Sequence, residues 1–226
     1  MVLKPELADL PLQERSLAYE LAKPYFKVAD KALQLEGLCF DINGNLYFVE
    51  VFGGTIFKLE AKSHKLTEVS RLDKENPAAL KIHRDGRLFV CCLGNFEDSG
   101  SIVAIDPLTG NHETVIPKRL GFVIDDMVFD SDGGFYFTDF RGTACNPSGG
   151  LYHVSPDFRD IIPVAKNLAV PNGLALTPDG KGIWITEMTS TRLHFILLGP
   201  YRIPIPLHGT AVLFFFIASK RPTPSS

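Results

Sequence analysis

Four polar-glycine turns, Asn43-Gly44, Asp85-Gly86, Asp132-Gly133 and Asp179-Gly180, each open an apolar run rich in aromatic and β-branched residues, and their glycines stand 42, 47 and 47 residues apart. A unit of that length cannot bury its apolar faces alone and must stack on its neighbours. Short apolar runs bounded by turn residues fill each unit. In the first repeat they are residues 37–40, 45–51, 55–59 and 66–71, and in the second 79–83, 87–91, 101–105 and 112–116. The third offers 127–130, 134–140, 150–155 and 160–165, and a fourth begins with 174–177, 182–186 and 192–197. Four short strands per unit at this period predict an all-β fold, a β-propeller of about four blades of four antiparallel strands. A β-sandwich could use similar strands but gives no reason for the period.

The register of the repeats selects residues. Eight positions before each turn glycine stand Glu36, Ala78, Asp125 and Asn172. Three of the four repeats thus place an oxygen-bearing side chain at one structural position. If the repeats are blades around an axis, those oxygens converge on it, as a hard cation requires.

Composition narrows the field. The chain has 226 residues and 45% hydrophobic content, enough for a packed core. A formal net charge of −3 with scattered Lys and Arg leaves no basic face for nucleic acid or for an anionic membrane surface. The first nine residues mix Lys4, Glu6 and Asp9 with short apolar pieces, so no signal peptide is expected and a cytoplasmic location is. Cys39, Cys91, Cys92 and Cys145 form no CxxC pair and are expected to be small buried hydrophobes in strands. No G-x-S-x-G elbow, P-loop or dinucleotide fingerprint occurs. His83, His153 and His194 have no metal-type spacing and are expected to serve packing.

Three regions follow from these patterns. Residues 1–30 read as an irregular lead-in, with Pro5, Pro11 and Pro24 confining any helix to a turn at 17–21. Residues 31–197 carry the blades. Residues 198–226 read as a divergent tail in which neither the turn nor the register returns. Its apolar run, 211–218, is far shorter than the ~20 residues of a helical membrane span and is expected to be a strand of a next blade or an exposed apolar surface. Residues 221–226 read as disordered.

Several segments together carry a family resemblance: Leu35-Glu36-Gly37-Leu38, the run from Asn76-Pro77-Ala78-Ala79 to His83, Ile124-Asp125-Asp126-Met127, the run from Gly134 through Thr138-Asp139-Phe140-Arg141-Gly142, and Asn172-Gly173. From about Leu33 to His194 the chain resembles the senescence-marker-protein, gluconolactonase and luciferin-regenerating family, and within it the bacterial drug-responsive lactonase branch. The resemblance implies a six-bladed propeller type, here truncated to about four blades, and calcium-dependent hydrolysis of a lactone ring ester. It implies a divalent ion, usually calcium, bound by Glu36, Asp125 and Asn172, the positions that the register selects independently. In the family a further ligand, an Asp of a later blade, also transfers the catalytic proton. No copy of it is recognisable here, so no catalytic residue is assigned and impaired activity is expected. The branch also carries a structural calcium site, which implies Asp98, Gly100, Leu120 and Phe122 as possible ligands, with Pro117 where an Asp is expected.

Beside that set, Asp126 occupies the register of Gly37 and is expected to bond backbone or orient a ligand rather than coordinate. Asp139 and Arg141 are read either as a structural ion pair or as part of a substrate loop. The alternative to a lactone-hydrolysing enzyme is a non-catalytic propeller fragment that serves as scaffold or binding surface. Open blade faces would also allow self-association.

Overall fold

The computed structural model describes residue 20, residues 22–199 and the backbone of residues 210–215. The chain forms four four-stranded antiparallel sheets, each in simple meander order. Blade 1 contains β1 (Leu35–Phe40), β2 (Leu46–Glu50), β3 (Thr55–Leu59) and β4 (Leu66–Arg71). Blade 2 contains β5 (Pro77–Ile82), β6 (Leu88–Cys92), β7 (Ser101–Ile105) and β8 (His112–Ile116). Blade 3 contains β9 (Ile124–Phe129), β10 (Phe135–Asp139), β11 (Gly149–Val154) and β12 (Ile161–Leu168). Blade 4 contains β13 (Pro171–Leu176), β14 (Gly182–Glu187), β15 (Arg192–Leu197) and β16 (Thr210–Phe215). The inner strands β1, β5, β9 and β13 pack in series, which is the propeller arrangement.

Strand alternation builds the core between blades. On β6, Leu88, Val90 and Cys92 face blade 1, where they pack with Tyr47, Val49 and Ile56. Phe89 and Cys91 of the same strand face blade 3 and meet Met127, Phe135 and Phe137. Tyr136, between those two phenylalanines, turns the other way to join Leu174, Ile183 and Ile185 of blade 4. β6 and β10 are therefore buried on both faces, so their sequences read as largely continuous apolar runs rather than an alternation. The second face of blade 1 carries Leu46, Phe48 and Leu59, and the segment containing Tyr25, Phe26 and Val28 lies over them.

The turns obey the register. Gly44, Gly86, Gly133 and Gly180 all adopt positive φ, between 67° and 95°. Their N–H groups donate to the carbonyls of Asp41, His83, Asp130 and Thr177 respectively. In the third repeat, the Asp130 carboxylate accepts N–H groups from Asp132, Gly133 and Gly134 and also meets His153 Nε2 at 2.8 Å.

Two expectations are corrected. The apolar run of the tail is placed not in a next blade but in blade 4, where Thr210–Phe215 pairs antiparallel with β15 as the outer strand. Cys145 is exposed and lies outside the strands, in the connection between β10 and β11, whereas Cys91 and Cys92 are buried and Cys39 is half-buried. Residues 22–30 contain no helix or strand, while residues 17–19 and 21 of the possible turn and the segment 221–226 lie outside the described residues.

Burial holds the Cys91 thiol well above its ordinary value and pushes Cys92 up to about 12. Only a thiolate reacts readily with a disulfide reagent. In the native protein an aromatic disulfide reagent is expected to titrate Cys145 quickly and Cys39 more slowly. Cys91 and Cys92 should react only on unfolding, and their labelling should track the loss of near-ultraviolet circular dichroism with denaturant.

Candidate active site

The inner strands are irregular at the register of the candidate residues. Ladder pairing along β9 passes from Ile124↔Asp139 to Met127↔Phe137, so β9 holds one residue more than β10 over that stretch. The same surplus occurs on β13 between Pro171↔Glu187 and Leu174↔Ile185 and on β1 between Glu36↔Val49 and Cys39↔Tyr47. It recurs on β5 between Pro77↔Cys92 and Ala79↔Cys91. A bulge releases the alternation of side chains and re-aims them. Here it lets Asp125 and Asp126, neighbours in sequence, line the same cavity.

That cavity, of about 380 Å³, is lined by Glu36, Asp125 and Asn172, together with Gln34, Lys81 and Asp126. Leu38, Val51, Leu93 and Phe140 supply its apolar wall, and Phe52 and Phe96, which are largely exposed, stand at its edge. The three oxygen-bearing residues selected by register are thus brought together. Ala78, their counterpart in blade 2, also lines the cavity and offers no side-chain oxygen.

Supporting groups fix each strand's entry. On blade 3 the fully buried Asp139 accepts the Val123 N–H at 3.0 Å, two residues before Asp125, and is held in turn by Arg141 Nε at 2.9 Å. This assigns Asp139 and Arg141 to a structural ion pair. On blade 4, buried Glu187 accepts the Ala169 N–H at 2.7 Å, three residues before Asn172, and meets Ser190 Oγ and His194 Nε2. Burial alone would raise the Glu187 carboxyl, but the bonds from Ser190, His194 and Ala169 outweigh it and hold it below its ordinary value. Threonine hydroxyls take the N–H groups left over by the bulges: Asp126 N donates to Thr138 Oγ1 at 3.2 Å and Gly173 N to Thr186 Oγ1 at 3.0 Å.

Gly37 is required by its surroundings. Its φ is +62°, and a Cβ there would lie 2.8 Å from Ala79 Cα and Leu80 N, so β1 and β5 approach backbone to backbone beside Glu36.

The electrostatics are those of an anion cluster. Asp125 is pushed up to about 7, first by burial and then by the charges of Asp126 and Glu36. Glu36 Oε1 accepts from Gln34 Nε2 at 2.7 Å. Asp125 and Asn172 make no side-chain hydrogen bond with the described residues, so their oxygens remain free toward the cavity. Among the described residues no three His, Cys, Asp or Glu side chains form a metal cluster by themselves. The candidate set is two carboxylates and an amide, an all-oxygen donor set that fits a hard divalent ion.

The second group of candidates is not assembled in this cavity. Asp98 meets Asn95 Nδ2 at 3.0 Å in an exposed loop, and the Gly100 N–H donates to the Phe122 carbonyl at 2.7 Å. Leu120 lies in the short 3₁₀ helix Lys118–Leu120 and lines a different depression beside Pro117 and Arg119. His83 packs against Phe89 and Phe129, His153 pairs with Asp130 and His194 with Glu187. Three contributors escape the polar-glycine register, namely Lys81, Thr138 and Glu187. The last two were accessible through the related pairs Thr138-Asp139 and Thr186-Glu187, 48 residues apart, at the ends of corresponding strands.

Residues 35–198 match the SMP-30/gluconolactonase/LRE-like region, and the chain belongs to that family. It is 49% identical over 218 residues to lactonase drp35 of Staphylococcus saprophyticus, covering 96% of this chain and 67% of that protein. Against lactonase drp35 of Staphylococcus haemolyticus it is 47% identical over 212 residues, covering 93% of this chain and 65% of that one. The chain therefore spans about two thirds of the length of these relatives. Similar solved structures include a calcium-binding regucalcin from Agrobacterium tumefaciens, with a TM-score of 0.62, 18% identity and coverage of 80% of this chain and 59% of that one. A gluconolactonase from Xanthomonas campestris matches with a TM-score of 0.63, 17% identity and coverage of 75% and 60% respectively. At these identities the likeness is one of fold. No helix among the described residues is long and apolar enough to cross a membrane.

The raised Asp125 carboxyl has a thermodynamic consequence. Below the ordinary value of 3.8 the group is protonated in both folded and unfolded chains, and its stabilising contribution is fully present; it is lost as the pH climbs through about 7. In chelator at pH 8, Asp125→Asn is therefore expected to raise the melting temperature, by roughly 2–4 °C for each kcal/mol of burial and repulsion penalty removed. The gain should shrink at pH 4.5, as thermal unfolding at the two pH values would show.

Proposed function

We propose that the cavity hydrolyses a lactone ring ester, with calcium or another hard divalent cation held by Glu36, Asp125 and Asn172. The observation that carries this reading is the convergence of those three side chains on one cavity, in a chain whose relatives at 49% and 47% identity are lactonases. A cation bound there would supply Lewis acidity toward the ester carbonyl and ease deprotonation of a water.

The chain's own residues would do the rest. Ionised, Asp125 and Glu36 carry only acceptor oxygens and would compensate the cation's charge, while Asn172 adds a neutral oxygen. Val51, Leu93 and Phe140 give the ring's hydrocarbon edge an apolar wall. Asp126 is engaged by Lys81 and two backbone N–H groups, so it is not free to shuttle a proton to the leaving alkoxide. Among the described residues that line the cavity, no other acid stands outside the proposed ligand set. Proton delivery is consequently the weak step, and turnover by this chain should be slow. The same absence favours, as a second reading, a propeller segment that binds its ligand without turning it over.

Hydrolysis of an aromatic lactone by the purified chain, followed in calcium and then in excess chelator, separates the two. The catalytic reading expects turnover that chelator abolishes and Glu36→Gln removes, with the variant still folded. It also expects calcium to raise the melting temperature, by the equivalent of about 2.7 kcal/mol at a hundred times Kd. Turnover that neither chelator nor Glu36→Gln diminishes would sink it. A calcium-dependent rise in melting without any turnover would leave the binding reading.

A further inference from the structure

The bulges that turn Asp125 and Asn172 toward the cavity also remove them from the regular ladder, so hydrogen bonding between strands does not by itself fix their mutual position. Asp126 stands where that position could be set. Its Oδ1 accepts the Met127 N–H at 2.8 Å and lies 3.2 Å from Lys81 Nζ of β5. Its Oδ2 accepts the Leu174 N–H of β13 at 3.2 Å. One carboxylate on β9 thereby joins the inner strands of blades 2, 3 and 4. A second tie runs parallel to it: the Asp126 N–H donates to Thr138 Oγ1 at 3.2 Å, and that hydroxyl donates to the Asn172 carbonyl at 2.8 Å. The backbone beside Asp125 is thus bound twice to the backbone beside Asn172.

We propose that Asp126 is a positioning residue for the cation site, and that Lys81 is the partner that holds its carboxylate in this clamp rather than on the ion. This rests on the reading of Glu36, Asp125 and Asn172 given above. Blade 2 then has a role at the axis although Ala78 supplies no oxygen: it contributes the ammonium that holds the clamp. A carboxylate committed to three donors aligns the two neighbouring ligands without coordinating, and loss of such an outer partner typically lowers metal affinity about 10–100-fold.

The sign of the Lys81 effect distinguishes positioning from coordination. If Asp126 were itself a ligand, removal of Lys81 would free it and remove a competing positive charge, so Lys81→Met would bind calcium more tightly. A positioning role requires the opposite.

Calorimetric calcium titration of the full 226-residue chain, with melting curves in chelator, provides the test. Asp126→Asn and Lys81→Met should each weaken calcium binding by about 10–100-fold while melting in chelator close to the wild type. Lys81→Arg should restore most of the affinity, and the double variant Lys81→Met/Asp126→Asn should bind little worse than Asp126→Asn alone. Wild-type affinity in Asp126→Asn, or tighter binding in Lys81→Met, would overturn the proposal. So would a lowered melting temperature in chelator with unchanged affinity, the mark of a purely structural tie. Glu36→Gln keeps the two levels apart. If it binds as the wild type does, the site reading falls and this inference with it; if it loses calcium while Asp126→Asn keeps it, this inference alone falls.

Discussion

The surplus residue in each inner strand is what allows a β-ladder to gather acidic side chains on an axis. In an unbroken strand successive side chains alternate between faces, and the faces of these blades are taken up by packing against their neighbours. An acid placed on such a face would enter the apolar core. The surplus at the register of Glu36, Asp125 and Asn172 breaks that alternation in the first residues of each strand, where these side chains line the cavity instead. The rest of the site depends on stabilising that irregularity.

Two sets of groups do so. Thr138 and Thr186 accept the N–H groups that the bulges leave without a ladder partner, and buried Asp139 and Glu187 grip the chain as it enters the inner strands. Unpaired, each such N–H would cost about 1–3 kcal/mol if buried. Blade 2 departs from this plan. Its equivalents are small or apolar, namely Ala78, Cys91 and Cys92, and its inner strand packs so closely on β1 that only glycine fits at residue 37. One blade therefore acts as a tight spacer between the blades that carry oxygens, and it contributes charge only through Lys81, at the edge of the cavity.

Much of this was legible in the sequence, and the omissions have a common cause. Outer and middle strands such as Thr55–Leu59, Leu66–Arg71, Ser101–Ile105 and His112–Ile116 fall where their apolar runs place them. The inner strands begin two or three residues earlier than periodicity indicates, at Leu35, Pro77, Ile124 and Pro171. Periodicity resumes only after the bulge, so the piece before it reads as a turn. The register nevertheless selects three side chains that line one cavity, because distance from the turn glycine survives a bulge that every copy shares. Lys81 was missed because it has no equivalent partner in the other blades, and its role is visible only when Asp126 stands across the blade boundary. The outer strand of blade 4 was hidden by a proline-rich connection that separates it from β15 and breaks the spacing of the earlier repeats.

Charge balance links the fold to the chemistry proposed for it. Glu36, Asp125 and Asp126 bring three carboxylates to a cavity whose one lining cation among the described residues is Lys81, and Asp125 is raised to about 7 first by burial and then by the charges of Asp126 and Glu36. The Coulomb energy of like charges grows as the surrounding dielectric falls, so an apolar wall of Val51, Leu93 and Phe140 sharpens the demand for a counter-charge. A divalent cation together with Lys81 would balance the three acids if all were ionised. The same wall that would receive the hydrocarbon part of a lactone thus strengthens the attraction for the ion proposed to activate its carbonyl. Binding of the cation and burial of the substrate would then depend on one set of residues, located where the inner strands depart from regular geometry.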